Sequence, residues 1–106
     1  MSNIYKLIIL ILISTSIFAQ SKIDRRTCTY DGKKLYGKVQ FVEDFPDITI
    51  QVVEDLPDID VRMVENFPSK CGEWQLVEHF PNLRVKIVEH NADIKVRFVK
   101  HFPGLK

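Results

Sequence analysis

Three histidines recur at intervals of eleven residues and could bind a transition metal. They are His79, His90 and His101. Imidazole nitrogens are common ligands of zinc and copper, and Glu78 and Glu89 stand beside two of them. The spacing matches no standard ligand motif, and earlier copies of the same stretch carry Asp or Asn at this position. A set of interchangeable polar turn residues is therefore the simpler interpretation, with metal binding as the alternative.

Two acidic corners offer the oxygen ligands that calcium prefers outside the cell. They are Glu43-Asp44-Phe-Pro-Asp47 and Glu54-Asp55-Leu-Pro-Asp58. Neither corner has the glycine spacing of known calcium loops. Capping of a turn by aspartate explains both corners more simply, so the sequence predicts no metal and no cofactor.

The cysteines Cys28 and Cys71 are two in number, which is what one disulfide needs. If the chain is exported, both thiols meet an oxidising compartment, and we predict that they pair. Two unconnected thiols are the alternative. No histidine lies near either cysteine in the sequence, and no C-x-x-C motif is present, so the sequence predicts no catalytic thiol.

The usual sequence signatures of catalysis are also missing. The chain has only four glycines, and they form no glycine-rich phosphate-binding loop. The H-E-x-x-H motif of a metalloprotease helix is also absent from the sequence. After residue 20 the only serines are Ser21 and Ser69, and neither stands in the setting of a nucleophile. We therefore predict a non-enzymatic protein with no catalytic residues.

Most of these residues belong to an eleven-residue sequence repeat that occurs six times. Its copies begin at Val39, Ile50, Val61, Trp74, Val85 and Val96. Each copy opens with an apolar-polar-apolar alternation of mostly β-branched and aromatic residues, which predicts a strand with one buried face. Four copies then run through Glu, a polar residue, Phe or Leu, and Pro, and the last copy has Lys100 in place of Glu. Proline ends a strand. The fifth copy has Asn91-Ala92 in place of Phe-Pro.

The repeat predicts a small all-β domain of six strand-turn units that follow an N-terminal hairpin. A coiled coil can also have an eleven-residue period, but the five prolines would interrupt such a helix in almost every copy. We expect the apolar corner residues to lie in the core with Trp74, because so small a domain has little surplus core. An exposed aromatic binding stripe is the alternative. The corner residues are Phe45, Leu56, Phe67, Phe80 and Phe102.

The first twenty residues have the pattern of a signal peptide. Lys6 precedes a continuous apolar run at 7–13, and smaller, more polar residues lead to a cleavage site near Ala19. The run is too short for a comfortable membrane span, and a retained N-terminal anchor is the alternative. We predict a signal peptide at 1–20, a lead-in and hairpin at 21–35 and the repeat domain at 36–106. The mature protein is then periplasmic or extracellular, with no membrane association.

The charge of the chain argues against a nucleic-acid partner. Removing Lys6 with the signal leaves 14 of the 15 basic residues against 14 acidic ones, so the mature chain lacks the basic face that phosphates attract. Acids predominate in the first three repeats and bases in the last three. Cross-strand pairing between these halves is the simpler interpretation, and a bipolar surface that binds a charged partner or another copy is the alternative. We expect a monomer.

The repeats resemble a known family, the septoil knot domain. The residues that carry the resemblance are Tyr36-Gly-Lys-Val-Gln-Phe-Val-Glu-Asp-Phe-Pro-Asp47, the recurrent Val-Glu-x-Phe-Pro, the central Lys70-Cys-Gly-Glu-Trp-Gln75 and the closing Phe102-Pro-Gly104. The resemblance implies a backbone tied in a seven-crossing torus knot, which the general rarity of knots would argue against. It implies no catalytic activity, cofactor or binding residue.

Members of that family are commonly short exported bacterial proteins, which agrees with the pattern of residues 1–20. The combined expectation is an exported, stable structural or binding module. The alternative function is metal binding in the exported protein through His79, His90 and His101.

Overall fold

The computed structural model describes residues 22–106, so the predicted signal peptide at 1–20 lies outside the described residues. This part of the chain is all-β, as the repeat predicts, and none of it forms a helix long and apolar enough to cross a membrane. The strands are β1 Ile23–Asp24, β2 Thr29–Tyr30, β3 Lys33–Lys34, β4 Gly37–Phe41, β5 Ile48–Val52, β6 Ile59–Met63, β7 Glu73–Leu76, β8 Leu83–Ile87, β9 Ile94–Phe98 and β10 Gly104–Leu105.

Six strands close into a parallel barrel in the order β4-β8-β5-β9-β6-β7, with β7 pairing back to β4. The first three repeats supply β4 to β6 and the last three supply β7 to β9. The two halves of the repeat region therefore alternate around the barrel. The short strand β10 adds to the outer edge of β6 in the antiparallel direction.

Each barrel strand pairs with one neighbour through its first half and with the other neighbour through its second half. In β5, for example, Ile48 to Ile50 pair with β8, and Ile50 to Val52 pair with β9. This stagger means that the strands are strongly inclined to the barrel axis. It explains how a connection as short as residues 53–58 can join parallel strands, which usually need a crossover of about a dozen residues.

The stagger also aligns the inward-facing residues in columns that run between the two ends of the barrel. One column contains Phe41 from the end of β4, Val85 from the middle of β8 and Ile48 from the start of β5. The middle residues of the columns are the first residues of the six repeats, and all of them are fully buried. Trp74 is one of them, so its predicted place in the core is confirmed.

The lead-in packs against the end of the barrel where the strands begin. β1, β2 and β3 form an antiparallel sheet, and β2 and β3 are a hairpin around Asp31-Gly32, both at positive φ. Leu35 follows this sheet and is fully buried. Its carbonyl accepts a hydrogen bond from Trp74 Nε1 at 3.0 Å, which links the lead-in to the centre of the barrel.

A disulfide joins Cys28 in the lead-in to Cys71, just before β7. The two Cα atoms are 5.7 Å apart, and the bridge closes a sequence separation of 43 residues. In the chain-entropy model, a loop of that length stabilises the folded state by about 4 kcal/mol. The bridge fastens the lead-in to the fourth repeat and leaves no free cysteine among the described residues.

Candidate functional site

The apolar corner residues lie on the surface, so their predicted place in the core is wrong. Their exposed fractions are 88–91%, and all five have a positive φ of 53–56°. The columns of strand residues already fill the barrel, and the corners lie on connections that pass outside it. The exposed corner residues are Phe45, Leu56, Phe67, Phe80 and Phe102.

Four connections, which carry the corner residues Phe45, Leu56, Phe80 and Asn91, each straddle a strand from the other half of the repeat region. The connection 42–47 begins with Val42 N donating to Val85 O and ends with Asp47 N donating to Arg84 O, both at 2.9 Å. It therefore bridges β8. The Asp47 carboxylate completes this clamp by accepting a hydrogen bond from Arg84 N at 2.7 Å.

The same clamp recurs at other connections, so the aspartates of the acidic corners bond to a neighbouring strand rather than within their own turn. Asp58 accepts from Lys95 N of β9 at 2.7 Å. In two further connections, the Asn82 side-chain oxygen accepts a hydrogen bond from Lys38 N of β4, and the Asp93 carboxylate accepts one from Thr49 N of β5. These contacts give Asp47 and Asp58, from the candidate calcium corners, a structural role in holding the barrel wall.

The three histidines lie on separate connections. They follow β7, β8 and β9. In the barrel, one strand of the first three repeats (β4, β5 or β6) lies between any two of these strands. His79, His90 and His101 are therefore distributed around the barrel and do not share a side. Among residues 22–106, no group of three or more His, Cys, Asp or Glu side chains is arranged to hold a metal ion.

The barrel end opposite the lead-in is an apolar mouth, formed by the last residue of each barrel strand. These side chains are 36–54% exposed, and they are Phe41, Val52, Met63, Leu76, Ile87 and Phe98. A depression of about 560 Å³ opens among Phe41, Met63, Ile87 and Phe98, and Arg62 and Lys100 supply positive charge at its border. The buried Trp74 ring lies beneath it, with ring centroids 6.4 Å from Phe41 and 6.3 Å from Phe98.

Arg62 also borders a second, cationic depression of about 390 Å³, which it shares with Lys70, His101 and the Phe102-Pro103 corner. Its Nη2 pairs with Glu73, its cross-strand partner. Its Nε is buried and has no hydrogen-bond partner in the described part of the chain. The mouth is thus apolar in the middle and cationic along one border.

Charges from the two halves of the repeat region pair across neighbouring strands. Asp60, which is 3% exposed, accepts hydrogen bonds from Arg97 Nε at 2.9 Å and Nη2 at 3.0 Å, and Lys106 Nζ lies 2.8 Å from it. Because the strands of the two halves alternate, acidic and basic residues are interleaved around the barrel. This arrangement agrees with cross-strand pairing, and it does not form one acidic and one basic side.

Glu73 is the second buried carboxylate, and it orders the loop before β7. It accepts hydrogen bonds from Ser69 N at 3.1 Å and Lys70 N at 2.9 Å, and it pairs with Arg62. These backbone bonds are the main reason that the pKa of Glu73 lies below its usual value. The pKa of Asp60 is also lowered, chiefly by its hydrogen bonds from Arg97.

Comparison with known families decides where the chain belongs. The family model described as the 7(1) septoil knot domain matches residues 32–106. The chain belongs to the septoil knot family. The resemblance seen in the repeats is confirmed, and the match begins a little before residue 36, where the sequence places the start of the domain.

One curated relative of this septoil knot domain is "Uncharacterized protein slr1025" from Synechocystis sp. (strain ATCC 27184 / PCC 6803 / Kazusa). It is 53% identical over 64 residues, which cover 60% of this chain and 57% of that protein. The match therefore spans little more than half of the relative. Its name assigns no activity, so the relative adds no ligand or reaction to the residues described above.

Sequence reasoning missed the mouth of the septoil knot domain but had one signal for the exposed corners. At the corner of the fifth repeat stands Asn91, with φ of 57°. Asparagine is the non-glycine residue best suited to this left-handed backbone. Its presence indicates that the corner needs a special backbone conformation, and a polar side chain at that position argues against burial.

The lowered carboxyl pKa values predict an acid-sensitive contribution to the stability of the domain. A carboxyl group whose pKa is depressed on folding stabilises the fold above its unfolded pKa, about 4, and loses that effect as pH falls through the folded pKa. We expect Asp60→Asn to lower the free energy of unfolding at pH 7 by about 2 kcal/mol, since Asp60 is buried but Arg97 is partly exposed.

Urea unfolding curves between pH 2 and pH 8 test this prediction. The wild type should lose stability below about pH 4, and Asp60→Asn should show a smaller loss over the same interval. Asp44→Asn, on an exposed corner, is the control and should follow the wild type. A stability of Asp60→Asn at pH 7 equal to that of the wild type would contradict the assigned role.

Proposed function

We propose that this septoil knot domain is an exported, non-enzymatic module that serves as a rugged structural or binding element. The observation that carries the proposal is the mutual clamping of the two halves of the repeat region. The pattern of residues 1–20 supports export through a signal peptide. The 53% identity to a bacterial protein is in keeping with a bacterial origin.

The clamping pattern supports a knotted backbone. The connection after β4 bridges β8, and the connection after β7 bridges β4, where Val77 N donates to Val39 O and Asn82 N to Lys38 O. Each half of the repeat region therefore holds strands of the other half. Together with the family membership, this pattern supports a seven-crossing torus knot formed by six strand-turn repeats.

The environments of the buried ionisable groups support a non-enzymatic role. Perturbed pKa values often mark active sites, but structural ion pairs perturb them too. Here the carboxylates of Asp60 and Glu73 are occupied by partners on neighbouring strands and on the adjoining loop. The separation of the three histidines removes the observation that favoured metal binding.

A clamped and knotted barrel should resist proteases that unfold their substrates by pulling. We expect an ATP-driven protease, acting on a C-terminal tag, to degrade the domain several times more slowly than an unknotted β-domain of equal unfolding free energy. The reason is that the pulled end tightens the clamps instead of peeling off one strand. Both Cys28 and Cys71 should be changed to serine, so that the disulfide does not contribute.

Disappearance of the full-length chain over time is the quantity to measure, with tags at the N-terminus and the C-terminus in separate experiments. The control domain is chosen to have the same unfolding free energy, measured by denaturant titration. Degradation of the two domains at equal rates from both ends would contradict the proposal of mechanical resistance.

A further inference from the structure

Five exposed corners keep large apolar side chains in a strained backbone conformation. A bulky residue at positive φ is unusual, and such strain persists only where the surrounding structure imposes it. The turn itself does not require an apolar residue, because Asn91 occupies the sixth corner with nearly the same φ of 57°. With about nine-tenths of each side chain exposed, these residues add nothing to the core, so their contacts must be sought outside the barrel.

The corner of the first repeat combines an exposed aromatic ring with two carboxylates. Phe45 is 89% exposed, and Glu43 and Asp44 directly before it are exposed as well. Leu56 has the same acidic flank. A surface that receives such a corner needs an apolar depression with positive charge at its border.

The mouth of the same domain has this chemistry. Its depression of about 560 Å³ is lined by apolar side chains and bordered by Arg62 and Lys100, and its volume is several times that of a benzyl group. The adjoining depression adds Lys70 and His101. The Arg62 side chain is 36% exposed, so an incoming carboxylate can approach the solvent-facing part of its guanidinium.

We propose that the domain binds a second copy of itself, with the Phe45 corner of one copy inserted into the depression among Phe41, Met63, Ile87 and Phe98 of the other. In this arrangement the Phe45 ring packs against Phe41 and Phe98 of the receiving copy. Glu43 and Asp44 then face the guanidinium of Arg62 and the ammonium of Lys100. The inference rests on the proposed function in one respect, namely that the mouth is a binding surface and not a catalytic pocket.

The contact is heterologous, because the corner and the mouth are different patches of the molecule. The donor copy keeps its mouth free, so the assembly can grow beyond two copies, as an open chain or as a ring where the rotation closes. One corner buries little area, which makes the association weak and dependent on concentration. The assembled form departs from the monomer that the sequence predicts.

A lipid surface fits the same corners less well. They lie on connections around the whole circumference of the barrel, so a flat membrane would reach only some of them. The carboxylates of Glu43 and Asp44 would also be repelled by the anionic lipids that attract basic proteins. Lipid binding is therefore an outcome to be distinguished by experiment.

Sedimentation velocity over a concentration series tests the proposal. We expect the wild-type sedimentation coefficient to rise with concentration, and the rise to shrink at high salt because charge pairs are screened. Ile87→Glu, which places an acid in the receiving depression, should abolish the rise. Leu76→Glu is the matched control, since Leu76 is 54% exposed against 53% for Ile87 and lies outside that depression.

A mixing experiment tests the two-patch geometry directly. A variant in which all five apolar corners are changed to Asn keeps its mouth, and the Ile87→Glu variant keeps its corners. Each should remain monomeric alone, whereas the mixture should associate. Unchanged circular dichroism and unchanged resistance to the pulling protease would show that both variants keep the barrel. A failure of self-association is then distinguishable from a failure of the proposed function.

Three results would overturn the proposal. The wild type could stay monomeric at every concentration, Ile87→Glu could behave like Leu76→Glu, or the mixture of variants could fail to associate. Co-sedimentation with phosphatidylcholine vesicles supplies the lipid arm of the test. Vesicle binding that is lost in the five-corner variant but kept in Ile87→Glu would assign the corners to a lipid surface instead.

Discussion

Gly72→Ala is expected to prevent folding, whereas Gly32→Ala should destabilise the domain by only about 1 kcal/mol. A Cβ atom at Gly72 would lie 2.4 Å from the carbonyl oxygen of Asp60 and 2.9 Å from the backbone nitrogen of Gly104. Nothing lies within 4 Å of a Cβ atom at Gly32. The two glycines have nearly equal φ, +84° and +82°, so backbone strain is common to both substitutions.

The difference between these variants isolates the close packing of β6, β10 and the start of β7. The two atoms closest to the new methyl group at Gly72 are backbone, so a change of side-chain rotamer cannot relieve the clash. Separating these strands would also disturb the ion pairs of Asp60. We expect a loss of more than about 4 kcal/mol, beyond the range of ordinary point mutations.

Urea unfolding of the oxidised proteins, followed by circular dichroism and tryptophan fluorescence, measures both effects. Trp74 is fully buried, so its emission reports directly on the closure of the barrel. Gly72→Ala should show no cooperative transition, and Gly32→Ala should show a slightly lowered midpoint. Equal midpoints for the two variants would contradict the packing described for Gly72.

The sequence was sufficient to predict the strands because the alternation of residue types marks each strand directly. In β5, for example, Ile48 and Ile50 are buried and Thr49 between them is only partly buried. The sequence could not predict which strands pair. All six repeats carry nearly the same pattern, so any repeat could lie beside any other as far as local preferences are concerned. The interleaved order depends on how the whole chain winds, and the family resemblance implied a knotted backbone without giving the order of the strands.

The exposed corners show how far an apolar residue type can mislead. Phe67 follows a strand and precedes a proline, and its type favours burial. The left-handed backbone at that position, φ of 56°, places it on a connection that runs outside a barrel already filled by strand residues. Residue type was therefore a poor guide, and the asparagine at the equivalent corner of the fifth repeat was the better one.

The candidate site was beyond sequence reasoning for a related reason. Its apolar lining consists of strand-end residues from different repeats, such as Phe41 and Ile87, which are far apart in the sequence. Only closure of the barrel brings them around one opening. The same closure separates the three histidines, although their regular spacing had been the reason to consider a shared metal site.

Deleting residues 96–106 is expected to abolish folding, although the deletion removes only the last repeat. It removes most of β9, which fills the gap between β5 and β6. The barrel would then have two unpaired strand edges, and the columns that contain Val96 and Phe98 would be open. Asp60 would also lose both Arg97 and Lys106, and an unpaired buried carboxylate is itself strongly destabilising.

Deleting only residues 104–106 provides the matched comparison. That change removes β10 and the Lys106 contact but keeps the closed ring and the Arg97–Asp60 pair. The shorter deletion should therefore fold with a lowered melting temperature, whereas the longer one should show neither native circular dichroism nor dispersed amide resonances. A cooperative melting transition in the longer deletion would mean that five strands suffice. The stability of the domain could then not depend on closure of the barrel, because the strands next to the gap would have no partner on that side.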